Sequence, residues 1–239
     1  RRQCGRVMSK YLYETHLHTK GVSACGSTEP EDYIDVYKRA GYAGIIVTDH
    51  FFNGNSGIDR SLPWEERVRQ YCSGYERALE ASKGKDFDVF FGIEYNFEGD
   101  EYLLYGIDKD WLIAHPEIME QTHEGLFKKI NEAGGLMIQA HPYRMRDYIK
   151  KLNLHPECVH GLEVYNAGNR PEENDKALAL AKETGLPCTS GSDMHNKDLI
   201  EKYIADKSFK PGAVVFNKRL TSIFDYVSGI KNREHEFIN

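Results

Sequence analysis

Tyr11-Leu12-Tyr13-Glu14-Thr15-His16-Leu17-His18 is a short apolar, strand-prone run that ends in two histidines one residue apart. Residues i and i+2 of a strand share a face about 6.6 Å apart at the Cα level, so the two imidazoles can meet one metal ion. Two polar residues on a solvated strand face give the same pattern, so the other strand ends must decide. Four more strand-prone runs also end in chemically able residues. Ile45-Ile46-Val47 leads into Thr48-Asp49-His50, and Val89-Phe90-Phe91 into Gly92-Ile93-Glu94. Leu136 to Gln139 leads into Ala140-His141-Pro142-Tyr143-Arg144, and Pro187 to Ser190 into Gly191-Ser192-Asp193-Met194-His195. Each has a bland account alone: Asp49 can cap a turn, and Glu94 can sit at the surface. A buried Glu94 would need a positive partner, which a metal supplies. Five such clusters in strand order, rich in imidazole and carboxylate, point to a site for several metals.

Between these runs, short apolar segments alternate with longer amphipathic ones. Strands are expected at Tyr11 to Leu17, Gly44 to Thr48, Val89 to Glu94, Tyr102 to Gly106, Leu136 to Ala140, Gly161 to Tyr165, Pro187 to Ser190 and Ala213 to Phe216. Helices are expected from Asp32 to the stop at Gly41, and over Trp64 to Ala81, Glu124 to Ala133, Glu172 to Thr184 and Arg219 to Val227. No Pro/Gly/Ser-rich linker, repeat or low-complexity tract interrupts the alternation. It predicts an α/β fold with a parallel barrel, as a single domain over residues 8–239. Arg1 to Val7 precede the first methionine, Met8, and are read as lying outside that domain. In a parallel barrel the C-terminal strand ends share one rim, where residues far apart in sequence converge.

Composition narrows the function. Lys and Arg total 31 against 37 Asp and Glu, so the formal charge of −6 has the wrong sign for general binding of long nucleic acids. No apolar stretch approaches the roughly 20 residues of a membrane span, and no leader pattern opens the chain. Five scattered cysteines, odd in number and without a C-x-x-C pair, fit a reducing cytoplasm.

The ordered series His16-x-His18, Thr48-Asp49-His50, Gly92-Ile93-Glu94, Ala140-His141-Pro142 and Ser192-Asp193-x-His195 resembles the PHP family, named for its polymerase-associated and histidinol-phosphatase members. The resemblance covers about residues 11–196. It implies a distorted TIM-like (β/α)7 barrel, two to three divalent metal ions (zinc, manganese or iron) and hydrolysis of a phosphoester. Carried over by position, one metal takes His16, His18, Glu94 and Asp193. A second shares Glu94 and uses His141, and a third uses His50 and His195. Two departures stand out: no hard ligand follows the first motif within Thr19 to Gly26, and no histidine lies within Tyr95 to Gly106. Cys25 is the candidate replacement in the first stretch, and Asp100 or Glu101 in the second.

Further roles follow from the residues themselves. Asp193 or His195 can relay a proton to the leaving group. Arg144, held near the rim by the His-Pro turn, can offer a fork of donors to phosphate oxygens; a solvated arginine at a helix start is the competing account. Glu163, at a strand end, is read as orienting a ligand, and Asp49 as orienting His50. Phe51, Phe52 and Trp64 either wall a pocket or roof the barrel, and Trp64 is read as roof. His115, His123, His155, His160 and His235 match no rim position and are read as solvated or capping. The expected substrate is a small phosphorylated molecule, a phosphomonoester or short diester. A C–N hydrolase on a similar barrel and a metal-binding module without catalysis are the alternatives, and the oligomeric state is left open.

Overall fold

Gly44-Ile45-Ile46-Val47 is apolar throughout because it is covered on both faces, as β2 (Gly44–Val47) between β1 (Tyr11–Glu14) and β3 (Asp88–Phe97), both parallel to it. The structure, a computed structural model, describes residues 10–147 and 149–239. The boundary expected at residues 1–8 lies outside the described residues. Beyond β3 the sheet continues through β4 (Asp100–Tyr105), β5 (Leu136–Gln139), β6 (Gly161–Asn166) and β7 (Cys188–Gly191). On the other side of β1 lie β8 (Ala213–Phe216) and β9 (Glu236–Ile238). β5, β6 and β7 run parallel to one another, and through β4 they run in the same sense as β3.

At the rim the sheet closes on itself. Leu17, just past β1, bridges in parallel to Met194, just past β7. His18 N–H donates to Met194 O at 2.8 Å, and Met194 N–H donates to His16 O at 3.1 Å. The result is a barrel-like sheet, with two departures from strict βα repetition. β4 runs antiparallel to both neighbours, because only Glu98 and Gly99 separate it from β3, and a parallel crossover needs a dozen or more residues. β8 is likewise antiparallel to β1.

Among the described residues eight α-helices cover the sheet: α1 (Asp32–Arg39), α2 (Trp64–Tyr71), α3 (Ser73–Ser82), α4 (Lys109–Ala114), α5 (His123–Glu132), α6 (Pro171–Thr184), α7 (Asp198–Asp206) and α8 (Ile223–Lys231). The helix expected over Trp64 to Ala81 is broken at Cys72. The last helix starts at Ile223 rather than Arg219, because Ser222 caps it with Asp225 while Arg219 is drawn to Asp86 and Asp88. α4, α7 and β9 are additions to the expected set. No helix among the described residues is long and apolar enough to cross a membrane.

Period-two faces of the strands sort the core. Tyr13, Ile46, Leu103, Tyr105, Ile138 and Val214 pack together with Tyr226, Val227 and Ile230 of α8. Two other clusters lie under the remaining helices. Phe51 and Phe52 belong to the first of these with Tyr71 and Tyr95, and Trp64 packs against it. Leu103 has no exposed surface. Leu103→Ala should therefore lower the unfolding free energy by about 2–5 kcal/mol, read as a lower urea midpoint at unchanged slope.

Candidate metal centre

The rim residues sit one layer beyond the regular strands, in extensions that keep ladder hydrogen bonds. Thr48 N–H donates to Leu17 O at 2.9 Å, Glu94 N–H to Asp49 O at 3.0 Å, and Phe51 N–H to Glu94 O at 2.8 Å. The backbone of His16, His18, His50 and Glu94 is therefore as fixed as the sheet. Glu94 lies inside β3, which runs three residues past it, rather than at its end.

Glu94 is fully buried with four imidazoles around it. Its Oε1 is 3.0 Å from His16 Nε2 and 3.1 Å from His141 Nε2; its Oε2 is 3.2 Å from His18 Nε2 and 2.7 Å from His50 Nδ1. Asp193 Oδ1 is 3.0 Å from His18 Nε2 and 3.5 Å from His16 Nε2. Donor atoms of His16, His18, Glu94 and Asp193 form one group, all within 4.8 Å of one another; those of His18, His50 and His195 form another. His16 Nε2, His18 Nε2, His50 Nδ1, Glu94 Oε2 and Asp193 Oδ1 are buried without a hydrogen-bond partner. Buried polar atoms are normally paired. Donors bound at about 2.1 Å to one ion stand about 3.0 Å apart at octahedral angles and about 3.4 Å apart at tetrahedral ones. The observed separations match, so the residues fit divalent metal.

A layer of hydrogen bonds aims each ligand atom. Glu163 Oε1 lies 2.9 Å from His16 Nδ1, and its Oε2 accepts from His141 N–H and Asn166 Nδ2, both at 2.9 Å. One carboxylate thus turns His16 Nε2 inward and ties down the backbone of His141, whose φ of +29° is a strained value for a non-glycine residue. Asp49 does not touch the His50 ring, contrary to the expected pairing. It accepts from Thr19 N–H, Thr19 Oγ1 and Ser23 Oγ, each at 2.6 Å, and Ser23 Oγ is 3.1 Å from His18 Nδ1. Asp49 therefore orients His18 through Ser23.

Glu14 is the buried acid that the sequence hides, a lone carboxylate in an apolar strand. Its Oε1 accepts from His16 N–H at 2.9 Å and Ser192 N–H at 3.0 Å, bracing the two segments that carry His16 and Asp193. Burial pushes its carboxyl up to about 7. Gly191 is required at its position by space: a Cβ there would stand 2.8 Å from His16 Cβ and 2.9 Å from Glu163 Oε1.

The electrostatics follow from crowding. Burial works to raise the Glu94 carboxyl, but the charges of His16 and His50 outweigh it and hold it well below the usual range. Burial likewise opposes ionisation of Asp193, yet His16 and Arg144 hold it well below the ordinary carboxylate value. His18 is pushed well below the ordinary imidazole value by burial and by His50 and His195, which suits a neutral ligand.

Arg144 is nearly buried, and its fork is engaged within the protein. Nη1 donates to Asp193 Oδ2 at 2.6 Å, Nη2 to Asn166 Oδ1 at 2.7 Å and Nε to Asn169 Oδ1 at 2.8 Å. It is neither a solvated helix residue nor an idle donor, and the one bond to Oδ2 leaves Asp193 Oδ1 facing the imidazoles. Glu101 Oε2 lies 3.3 Å from His141 Nε2, whereas the Asp100 carboxylate points away, to Tyr102, His123 and Asn153. Cys25 is exposed beside His50 and His195; burial opposes its ionisation, but hydrogen bonds from His195 and His50 bring the thiol down to about 6. The five discounted histidines all lie outside the centre. His115, His160 and His235 bond to backbone, while His123 and His155 stack on each other beside Asp100. A surface cavity of about 810 Å³ is lined by residues between Val215 and Glu236 and holds none of the rim residues.

Residues 171–200, covering α6, β7 and the Asp193–His195 motif, match the PHP_C family, described as PHP-associated. A search of the curated proteins finds no match. Among solved structures, a two-domain protein of Bacteroides vulgatus ATCC 8482 containing a predicted PHP-like metal-dependent phosphoesterase superposes with a TM-score of 0.67 at 16% identity, over 96% of this chain. This chain spans 65% of that protein's length. A Bifidobacterium adolescentis ATCC 15703 protein, proposed to be a metal-dependent phosphoesterase, gives a TM-score of 0.56 at 18% identity, over 92% of this chain and 96% of its own. An amidohydrolase from Chromobacterium violaceum, solved with bound sulfate and no metal, gives 0.51 at 16% identity, over 77% of this chain and 87% of its own. At these identities what is shared is the barrel.

Glu163→Gln keeps the shape of the side chain but not its charge, and it loses an acceptor for His141 or Asn166. Affinity for divalent metal should fall about 10- to 100-fold, measured by competition with a chromophoric chelator. An unchanged affinity would show that His16 is held by packing alone.

Proposed function

We propose that this chain, which belongs with the PHP family in fold and in the order of its motifs, is a metal-dependent phosphoesterase acting on a small phosphorylated molecule. One observation carries the reading: five unpaired, buried ligand atoms converge at the open rim around a carboxylate that no lysine or arginine approaches among the described residues. Four carboxylates, Glu94, Glu101, Asp193 and Glu163, gather at the rim, where Arg144 pairs with Asp193 and the others face imidazoles. Buried carboxylates need compensating charge, which divalent cations would supply while leaving the imidazoles neutral as ligands.

His16, His18, Glu94 and Asp193 would hold one ion, Glu94 and His141 would contribute to a second, and His50 and His195 to a third. When bound, such divalent ions supply Lewis-acid polarisation of a phosphoryl oxygen and acidify water near neutral pH. The chain's own residues do the rest. Glu163, Ser23 and Glu14 hold the imidazoles and the Asp193 segment in fixed orientations, so little reorganisation accompanies reaction. Arg144 retains a free N–H on each terminal nitrogen, beside Asp193, for phosphate oxygens. His195 is partly exposed at the mouth while Asp193 is not, so His195 is the better placed to pass a proton to the leaving group.

The substrate's small size is part of the proposal. Several surface cations are matched by acids: Lys20 and Arg77 by Glu29, Arg146 by Glu173, Lys197 by Asp32. With a net charge of −6 the chain offers a long polyanion no general attraction. The four described cysteines are free, which supports a reducing, cytoplasmic setting.

Protein loaded in turn with Zn²⁺, Mn²⁺ or Fe²⁺ should release phosphate from members of a panel of small phosphomonoesters, or a monoester and an alcohol from short diesters, and chelation should abolish the hydrolysis. Cleavage of amide substrates without phosphate release would instead favour the C–N hydrolase suggested by the amidohydrolase-like barrel, and metal uptake without any turnover a binding module. Glu94→Gln removes the central charge, so metal content and rate should fall together; wild-type values for both would sink the assignment of Glu94. Arg144→Lys keeps a charge on Asp193 but loses the fork, and Arg144→Ala loses both. kcat/KM should therefore drop stepwise, by roughly tenfold and then further, and equal values would remove Arg144 from the site.

A further inference from the structure

The β3–β4 hairpin places a second carboxylate against Glu94. In its register Asn96 pairs with Glu101 and Glu94 with Leu103, so Glu101 shares the inward face with Glu94 while Asp100 faces outward with Phe97. Asn96 Nδ2 donates to Glu101 Oε1 at 2.9 Å, which fixes the carboxylate. The other oxygen, Oε2, is 3.3 Å from His141 Nε2, and Oε1 is 3.7 Å from His50 Nδ1. Donor atoms of His50, Glu94 and Glu101 lie within 4.8 Å of one another. Two buried atoms without hydrogen-bond partners, Glu94 Oε2 and His50 Nδ1, belong to this same group. No lysine or arginine pairs with Glu101 among the described residues.

We infer that Glu101 is a metal ligand, completing with Glu94 and His141 a position built from two carboxylates and one imidazole. His141 Nε2 stands 3.1 Å from Glu94 Oε1 and 3.3 Å from Glu101 Oε2, separations that match those of donors sharing one ion. The chemistry differs from that of the neighbouring position, where two imidazoles meet two carboxylates. An oxygen-rich donor set favours harder ions such as Mn²⁺, and an imidazole-rich set favours Zn²⁺. The two positions sharing Glu94 therefore differ in metal preference, and Glu101 sets the difference. The inference rests on the metal reading proposed above and adds a ligand and a selectivity to it.

The test uses protein stripped by chelation and titrated with Mn²⁺, free Mn²⁺ being read by electron paramagnetic resonance and bound metal by elemental analysis. Glu101→Gln should lose one Mn²⁺ equivalent, or bind it at least tenfold more weakly, while Zn²⁺ at the remaining position is unchanged. Glu101→His should restore the stoichiometry but shift Mn²⁺/Zn²⁺ competition at least tenfold toward Zn²⁺, which a purely structural role of Glu101 would not do. Wild-type Mn²⁺ stoichiometry and affinity in Glu101→Gln would overturn the inference and leave the phosphoesterase reading standing. A wild-type protein that takes up neither Mn²⁺ nor Zn²⁺ would overturn both.

Discussion

A single carboxylate held out of water among four imidazoles governs this structure. Glu94 has no exposed surface, and His16, His18, His50 and His141 each put a ring nitrogen within 3.2 Å of it. Such a group is tolerable only where charge or hydrogen bonding compensates for lost hydration. The barrel supplies compensation from three strands. His16 and His18 arrive from β1, His50 from β2 and His141 from β5, and the extensions remain ladder-bonded so that the convergence is rigid.

Rigidity at the rim is maintained by a second set of polar residues whose partners are all inside the protein. Glu163 serves His16 and His141 together, Asp49 reaches His18 through Ser23, and Glu14 spans the backbones of His16 and Ser192. Fully satisfied networks of this kind specify one arrangement, because any displacement leaves a buried group unpaired. The left-handed backbone of His141 and of Asp193, φ +29° and +56°, is sustained by those bonds. Two of the five left-handed non-glycine residues among those described thus stand where a strand turns a side chain back over the barrel mouth.

The departure from a regular βα repeat is itself functional in position. Had β3 been followed by a crossover helix, the residues after Glu94 would have left the rim. The two-residue turn instead folds β4 back along β3, bringing Glu101 across from Asn96 and onto the face of Glu94. The same antiparallel strand carries Leu103 and Tyr105 into the interior cluster, so one element serves packing below and polar chemistry above.

The five motifs and the strands that carry them were legible from the residues alone, because a strand's period of two and a barrel's shared rim make the destination of each strand-end side chain calculable. Glu163 as an orienting acid was legible for the same reason. Local pattern could not reveal direction: β4 reads as a strand whether parallel or antiparallel, and only its pairing made Glu101 an inward group and Asp100 an outward one. Nor could it reveal partners. Arg144 stands three residues from His141 in the sequence, yet its donors are fixed by Asp193, Asn166 and Asn169, 22 to 49 residues away. Glu14 looked like an interruption of an apolar strand, and Asp49 like the neighbour of His50, until the packing of distant segments gave each its hydrogen bonds. Sequence determines which side chains reach the rim, since that depends on local periodicity. Tertiary structure decides what each one touches there, since a hydrogen bond depends on distances that chain separation does not contain.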